Sequence, residues 1–319
     1  MPDNPTTIQM NFMDVLPESW RGSDGSVRVL QSVYQCLLFA PKDIGATYLT
    51  GAVDDVIYIV ADLLSELKFH TAVNTVRMVD GQPRIEFHIS EGATSKGTHI
   101  VFFTRCDDPS GVHEAQALSK IEAAAGLIGA LEGHNATYAH VFTQFLELPD
   151  GQMSGAGPSV LNPASLPRPF QNGDRVNKTA YALDTLDAHL KARMLLALRW
   201  LDKAQRETDG LDGFLKSWFA LETLAMPDDT DVRPVVEMLA TIYGKGYQDA
   251  RDHFAVGRIQ GLRSGIVHKG IIRGIHQQLT KYVQALVVDV LLHMTGQPTE
   301  RRAEEILRDP TFPHASWRP

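Results

Sequence analysis

Residues 261–270 read Gly-Leu-Arg-Ser-Gly-Ile-Val-His-Lys-Gly and set Arg263 and His268 five positions apart. An imidazole gives or takes a proton near neutral pH. A guanidinium presents a planar fork of donors that matches a phosphate. The two suffice to cleave RNA without a metal. The ribose 2′-hydroxyl attacks, the imidazole moves its proton, and the guanidinium steadies the charge growing on phosphorus. Spacing alone is a weak signal, because an Arg and a His fall this far apart by chance in a chain of this length. On a straight helix, five steps separate the two side chains by about 140°. Gly261 and Gly265 are therefore expected to break the helix entrance and turn Arg263 back toward His268. The competing structural readings are a buried helical histidine at 268 and an arginine at 263 that caps a neighbouring helix.

The surroundings of this stretch are electropositive. No Asp or Glu occurs from position 253 to 288, a span that holds Arg258, Arg263, Lys269, Arg273 and Lys281 with His268 and His276. Arg258, Lys269 and Arg273 are the candidate substrate-binding cations. The whole chain carries a formal net charge of −8, which argues against general nucleic-acid affinity and for a local basic surface. A solvated helix face that merely lacks acids is the alternative.

Elements must position these groups. The 319 residues suffice for two domains of ordinary size. Positions 26–39 and 54–69 carry helical apolar spacing, with a strand as the alternative for part of the first and with Asp54 and Asp55 at the start of the second. Strands are expected over 73–79, 84–89 and 99–104, with turns at Asp80-Gly81 and Glu91-Gly92. An alanine-rich helix over 115–131 follows, and 138–148 reads as a strand, with a helix as the alternative. The Gly- and Pro-rich stretch 151–173 reads as a linker. Beyond it, helices are expected over 180–206, 211–226, 232–243, 248–262, from 264 to about 294, and 299–307. The fold class is thus an α+β N-terminal domain (1–150), a linker (151–177) and an all-α C-terminal helical bundle (178–319).

Two blocks in the C-terminal part resemble a known family. Residues 214–224, Phe-Leu-Lys-Ser-Trp-Phe-Ala-Leu-Glu-Thr-Leu, resemble the Trp-x-Ala-Leu-Glu-x-Leu helix of the Apea-like branch of HEPN domains. Residues 262–270 resemble its Arg-polar-x-Ile-Val-His-x-Gly block. The resemblance covers about 178–297. It implies a helical bundle, commonly a homodimer, and metal-independent RNase activity in a defence or toxin-like system. The Arg and His of two protomers would line one cleft. Carried over, the catalytic candidates are Arg263 and His268, with Ser264 as the polar residue after the arginine and Glu222 as a supporting carboxylate; the structural alternative for Glu222, on a helix with Trp218, Leu221 and Leu224, is a partly buried salt bridge with an arginine. RNA is the expected partner, and the N-terminal domain would sense a regulatory partner or ligand. The alternative is a non-catalytic dimerisation and RNA- or partner-binding module.

Other chemistries find little support. The two cysteines, Cys36 and Cys106, lack zinc spacing and read as buried thiols. His134 and His140 lack the further ligands a metal site needs. No phosphate-binding glycine loop or nucleophile elbow occurs, so no cofactor is expected. A basic, then apolar, leader is not evident, and the apolar run 282–294 is too short to span a bilayer. A cytoplasmic protein is the expectation.

Overall fold

The computed structural model describes residues 15–36, 48–63, 68–79, 82–93, 97–108, 111–132, 138–148, 152–156, 173–226, 231–269, 275, 277–309 and 312. The chain is an α+β N-terminal part followed by a helical C-terminal part. It divides into two compact units, residues 1–121 with 138–169 and residues 122–137 with 170–319. The boundary falls inside one helix.

Among the described residues the first unit holds eight strands: β1 (Val27–Cys36), β2 (Tyr48–Val53), β3 (Val56–Leu63), β4 (Lys68–Val79), β5 (Gln82–Ala93), β6 (Gly97–Arg105), β7 (Tyr138–Leu148) and β8 (Gln152–Ala156). Six of them form one antiparallel sheet in the order β2-β3-β6-β1-β7-β8, and β4 pairs with β5. β1 is central, flanked by β6 and β7. Val27, Val29 and Val33 pack with Ile59, Val101, Phe103, Phe142 and Leu146. Leu30 and Ser32, on the opposite face of β1, are buried too.

Burial on both faces explains two corrections to the sequence reading. Positions 26–39 and 54–69 are strands over their described residues, not helices. A strand covered on both sides is apolar nearly throughout, and a continuous apolar run fits a helical template as well as a strand. Asp54 and Asp55 do not start a helix. They make the two-residue turn of the β2–β3 hairpin, with Val53 opposite Val56 and Asp54 at a φ of 52°. Aspartate tolerates that left-handed conformation better than most residues. Glu91 and Gly92 lie within β5 opposite His70 and Phe69, so the chain does not turn there. Asp80-Gly81 lies outside the described residues. The strands over 73–79, 84–89, 99–104 and 138–148 form as expected.

The helices are α1 (Gly111–Glu132), α2 (Gly173–Asp184), α3 (Ala188–Gln205), α4 (Gly210–Ala225), α5 (Arg233–Tyr243), α6 (Tyr247–Phe254), α7 (Val256–Lys269), α8 (Gln277–Met294) and α9 (Arg302–Arg308). In the second unit α4 packs on α3 and α8, α5 on α6 and α8, and α9 on α8. α8 is the axis of this unit, buried almost continuously from Leu279 to Leu292. No helix among the described residues is long and apolar enough to cross a membrane.

Helix ends also differ from expectation. The helix expected over 180–206 is two, α2 and α3. Asp187 stops the first and caps the second, accepting from the backbone N–H of His189 (3.1 Å) and Leu190 (2.9 Å). The helix expected over 248–262 is also two, separated by Ala255 at a φ of 51°. Gly261 and Gly265 break nothing: α7 runs through both.

The first unit keeps its buried polar side chains in neutral pairs. Gln144 donates to Gln31 at 2.6 Å. Ser32 and Thr143 share a hydrogen bond of 2.8 Å, and His140 Nε2 lies 3.1 Å and 2.8 Å from their hydroxyl oxygens. A register shift between Val33 and Tyr34 sets His140 opposite Tyr34, on the face that carries Ser32. The ring of Tyr34 meets the imidazole edge-on at 5.1 Å. Cys106 is a buried free thiol, its pKa raised by burial, and it donates to the Asp108 carbonyl at 3.2 Å. The side chain of Cys36 lies outside the described residues.

The second unit uses charges instead. Glu122 of α1 is nearly buried and meets three cations of the α3 region: Arg199, Lys203 at 3.4 Å and Arg206 at 4.0 Å. Beside it, Asp202 pairs with Arg206. Burial pushes the Asp202 carboxyl up to about 6, against the pull of Arg206. α1 lies so close to α3 that a Cβ on Gly126 would sit 2.0 Å from the Leu198 carbonyl oxygen.

Two outcomes follow from this packing. Gly126→Ala forces α1 away from the Leu198 backbone, and the urea midpoint should fall by the equivalent of ~1–3 kcal/mol. Asp202 holds its proton more tightly folded (about 6) than at its ordinary value of 3.8, so stability falls as pH rises between these values. The cost is absent below the lower value and complete above the upper one, at about 3 kcal/mol. Asp202→Asn should flatten the stability–pH curve over that window, read by urea unfolding at stepped pH.

Candidate functional site on helix α7

The sequence of α7 from Val256 to Lys269 contains no acid, and Val256 and Ile259 are its buried anchors. Arg258 and Lys269 are exposed, and neither makes an ion pair among the described residues. Eleven steps of an α-helix return to nearly the same face, so the two project from one side. His268 lies about 80° from Arg258 around the axis and is also exposed. It occupies the last helical turn with Lys269, where positive charge suits the carbonyl end of the helix dipole. Neither His268 nor Ser264 forms a side-chain hydrogen bond among the described residues. Arg273 lies outside the described residues.

Arg263 faces the other way. Its Nη2 donates to Glu222 Oε2 of α4 at 3.2 Å, with both side chains about three-quarters covered. The guanidinium carbon stands 5.8 Å from the centre of the Phe219 ring. Phe219 and Glu222 are three positions apart, so α4 presents them on one face, and the arginine lies across both. Trp200 braces Phe219 from α3, edge to face at 5.5 Å. The Nε of Arg263 is buried without a hydrogen-bond partner among the described residues.

The structure therefore brings Arg263 and Glu222 together and leaves His268 apart from them within one chain. The cause is the continuity of α7. With no break at Gly261 or Gly265, the five-residue spacing keeps its angle of about 140°. The buried-histidine reading of position 268 is set aside by its exposure, and the capping role for Arg263 by its carboxylate partner.

No family model, curated protein or solved structure matches the chain. The chemistry of α4 and α7 rests on their own residues.

Phe219 is a contact that sequence reasoning missed. Its position three residues before Glu222, on the same face of α4, is the signal that could have found it. Trp218 and Phe214 are fully buried, as aromatic core residues should be. His140 stands among hydroxyls rather than metal ligands. His134 lies outside the described residues.

Glu222→Ala and Arg263→Ala should each destabilise the helical unit by about 1 kcal/mol, and the double variant should cost less than the sum. A double-mutant cycle in urea measures the difference. A coupling near zero would mean that the pair orients nothing.

Proposed function

We propose that the helical unit is a metal-independent endoribonuclease of the Apea-like HEPN kind, its cleft formed by the α7 helices of two copies of this chain. The observation that carries the reading is the Arg263–Glu222 pair. It joins the two blocks that resemble the family, one on α4 and one on α7, through the residues expected to act. Glu222 and Phe219 hold the guanidinium in one orientation, which favours a group that must meet a developing charge without rearranging. His268, exposed beside Arg258 and Lys269, can reach a bound strand and take a proton.

Since Arg263 and His268 of one chain point to different sides, a second copy supplies the complementary group. One imidazole accepts the 2′-hydroxyl proton as that oxygen attacks phosphorus. The second protonates the departing 5′-oxygen. The products are a 2′,3′-cyclic phosphate and a 5′-hydroxyl end. Ser264 offers a hydroxyl to the same phosphate. A cytoplasmic defence or toxin-like role, with the N-terminal unit sensing a regulatory partner, belongs to the same reading.

A second reading has its own support. Within one chain the charge of Arg263 is already matched by Glu222. A guanidinium so engaged suits a module that dimerises and binds RNA or another partner without cutting it.

Purified chain incubated with single-stranded RNA in the presence of EDTA decides between them. Cleavage should yield cyclic-phosphate ends, spare DNA of the same sequence, and fall at least 100-fold in His268→Ala and in Arg263→Ala with circular dichroism unchanged. Cleavage that persists in both variants overturns the nuclease. RNA binding that survives His268→Ala, with no cleavage by the parent chain, establishes the module.

A further inference from the structure

A second constellation lies where α5, α6 and α9 converge. Glu304 of α9 is nearly buried, its side chain 9% exposed. Four basic groups surround its carboxylate. Lys245 Nζ and His253 Nε2 each stand 3.8 Å from Oε1. Arg301 and Arg308 approach Oε2 at 3.1 Å and 3.0 Å. Three permanent cations and a histidine thus share one negative charge. The arginines form the rim, 51% and 71% exposed, above a floor made by the carboxylate.

Each element delivers its cation by a specific local structure. α5 ends with Gly244 in the left-handed region, at a φ of 61°. The N–H of Lys245 closes back on the Ala240 carbonyl at 2.9 Å, which aims the lysine outward. His253 lies in the last turn of α6 and packs edge-on against Phe254. Arg301 stands at the N-cap of α9, where Ser, Thr, Asp or Asn would be preferred, and its φ is 57°. A branched cation in that strained conformation costs stability. Such strain gathers at sites where a side chain must be held in one place. Here it lays the guanidinium over the Tyr243 ring, 5.1 Å from its centre.

An ion network built only for stability would balance its charges. Among the described residues, this one sets three permanent cations against a single carboxylate at a partly covered position. The surplus is felt by His253. Burial lowers its pKa, Lys245 and Arg308 lower it further, and Glu304 opposes them. An added anion would offset both repulsions at once.

We propose that Arg301, Arg308, Lys245 and His253 form a binding site for a compact phosphate dianion, either free phosphate or the phosphate of a mononucleotide. Its size follows from the spacing: the four donors converge on one carboxylate group, so they suit a tetrahedral oxyanion better than an extended backbone. Tyr243 is buried beneath Arg301, which leaves it closed to a stacking base. Recognition is therefore of the phosphate alone. The site shares no residue with α7 and does not depend on RNA cleavage there.

Isothermal titration of the full chain at constant ionic strength, with inorganic phosphate and with adenosine 5′-monophosphate, tests the assignment. Saturable binding of one anion per chain is expected for both. Similar affinities assign the site to any phosphate monoester or free phosphate, and tighter binding of the nucleotide assigns it to that source. The Arg301→Gln/Arg308→Gln double variant should bind at least tenfold more weakly, with its circular dichroism in phosphate-free buffer that of the folded parent chain. Glu304→Gln, which removes the internal competitor, should bind at least threefold more tightly. In proton NMR, phosphate should raise the titration midpoint of the His253 ring in the parent chain but not in the double variant. Failure of both anions to bind saturably, or binding that the double variant leaves intact, overturns the site.

Discussion

Asp289 has no exposed surface, and it sits on the helix that is buried almost end to end. A carboxylate so placed must find all its partners inside the unit or cost several kcal/mol. It finds three. The Tyr243 hydroxyl of α5 donates to it, and so do the backbone N–H groups of Arg302 (3.3 Å) and Ala303 (3.1 Å) at the start of α9. Burial pushes the Asp289 carboxyl up while these donors pull it down. The same burial, with the neighbouring negative charge, pushes the Tyr243 hydroxyl up. One carboxylate thereby fixes where α5 ends and where α9 begins. Arg302, held there, donates to the carbonyls of Ala130 (2.6 Å) and Leu131 (3.0 Å) and closes the end of α1.

The cation cluster around Glu304 is a consequence of that anchoring. Once Tyr243 and the first turn of α9 are held on Asp289, Lys245 and Arg301 must lie close together, since each follows or precedes an anchored residue. Attraction to Glu304 offsets part of their repulsion. A site of this kind needs no loop of its own. It is assembled from helix ends that are already fixed for another reason, so its geometry is rigid before a ligand arrives.

The two units solve the problem of buried polarity in different ways. In the sheet, hydroxyl, amide and imidazole groups face one another across β1 and β7, and among the described residues there no Asp, Glu, Lys or Arg is buried. In the helical unit, carboxylates at 122, 202, 222, 289 and 304 each meet cations or backbone donors. Neutral pairs fit a strand ladder, where facing side chains are only about 5 Å apart. Long cations suit helices, whose axes stand about 8–10 Å apart and leave a gap that an arginine spans. α7 shows the consequence for function. Its inward arginine belongs to the packing with α4, and its outward histidine and lysine belong to the surface.

By itself the sequence determined which half is helical, the strands at 73–79, 84–89, 99–104 and 138–148, and the absence of acids from the segment around Arg263 and His268. These features are local: they rest on apolar period, on turn residues, or on composition within one segment. The break at Asp187 was legible in principle, since an aspartate followed by a helical run is an ordinary cap, but apolar spacing on both sides concealed it. Only the tertiary structure decided that 26–39 and 54–69 hold strands, because burial on both faces erases the alternation that would have shown it. Only the tertiary structure paired Arg263 with Glu222, separated by 41 positions, and gathered Lys245, His253, Arg301 and Arg308 around Glu304. Charges far apart in the chain carry no mark of their partners. Lys245 and Arg301 meet because Asp289, desolvated on α8, holds both Tyr243 and the first turn of α9.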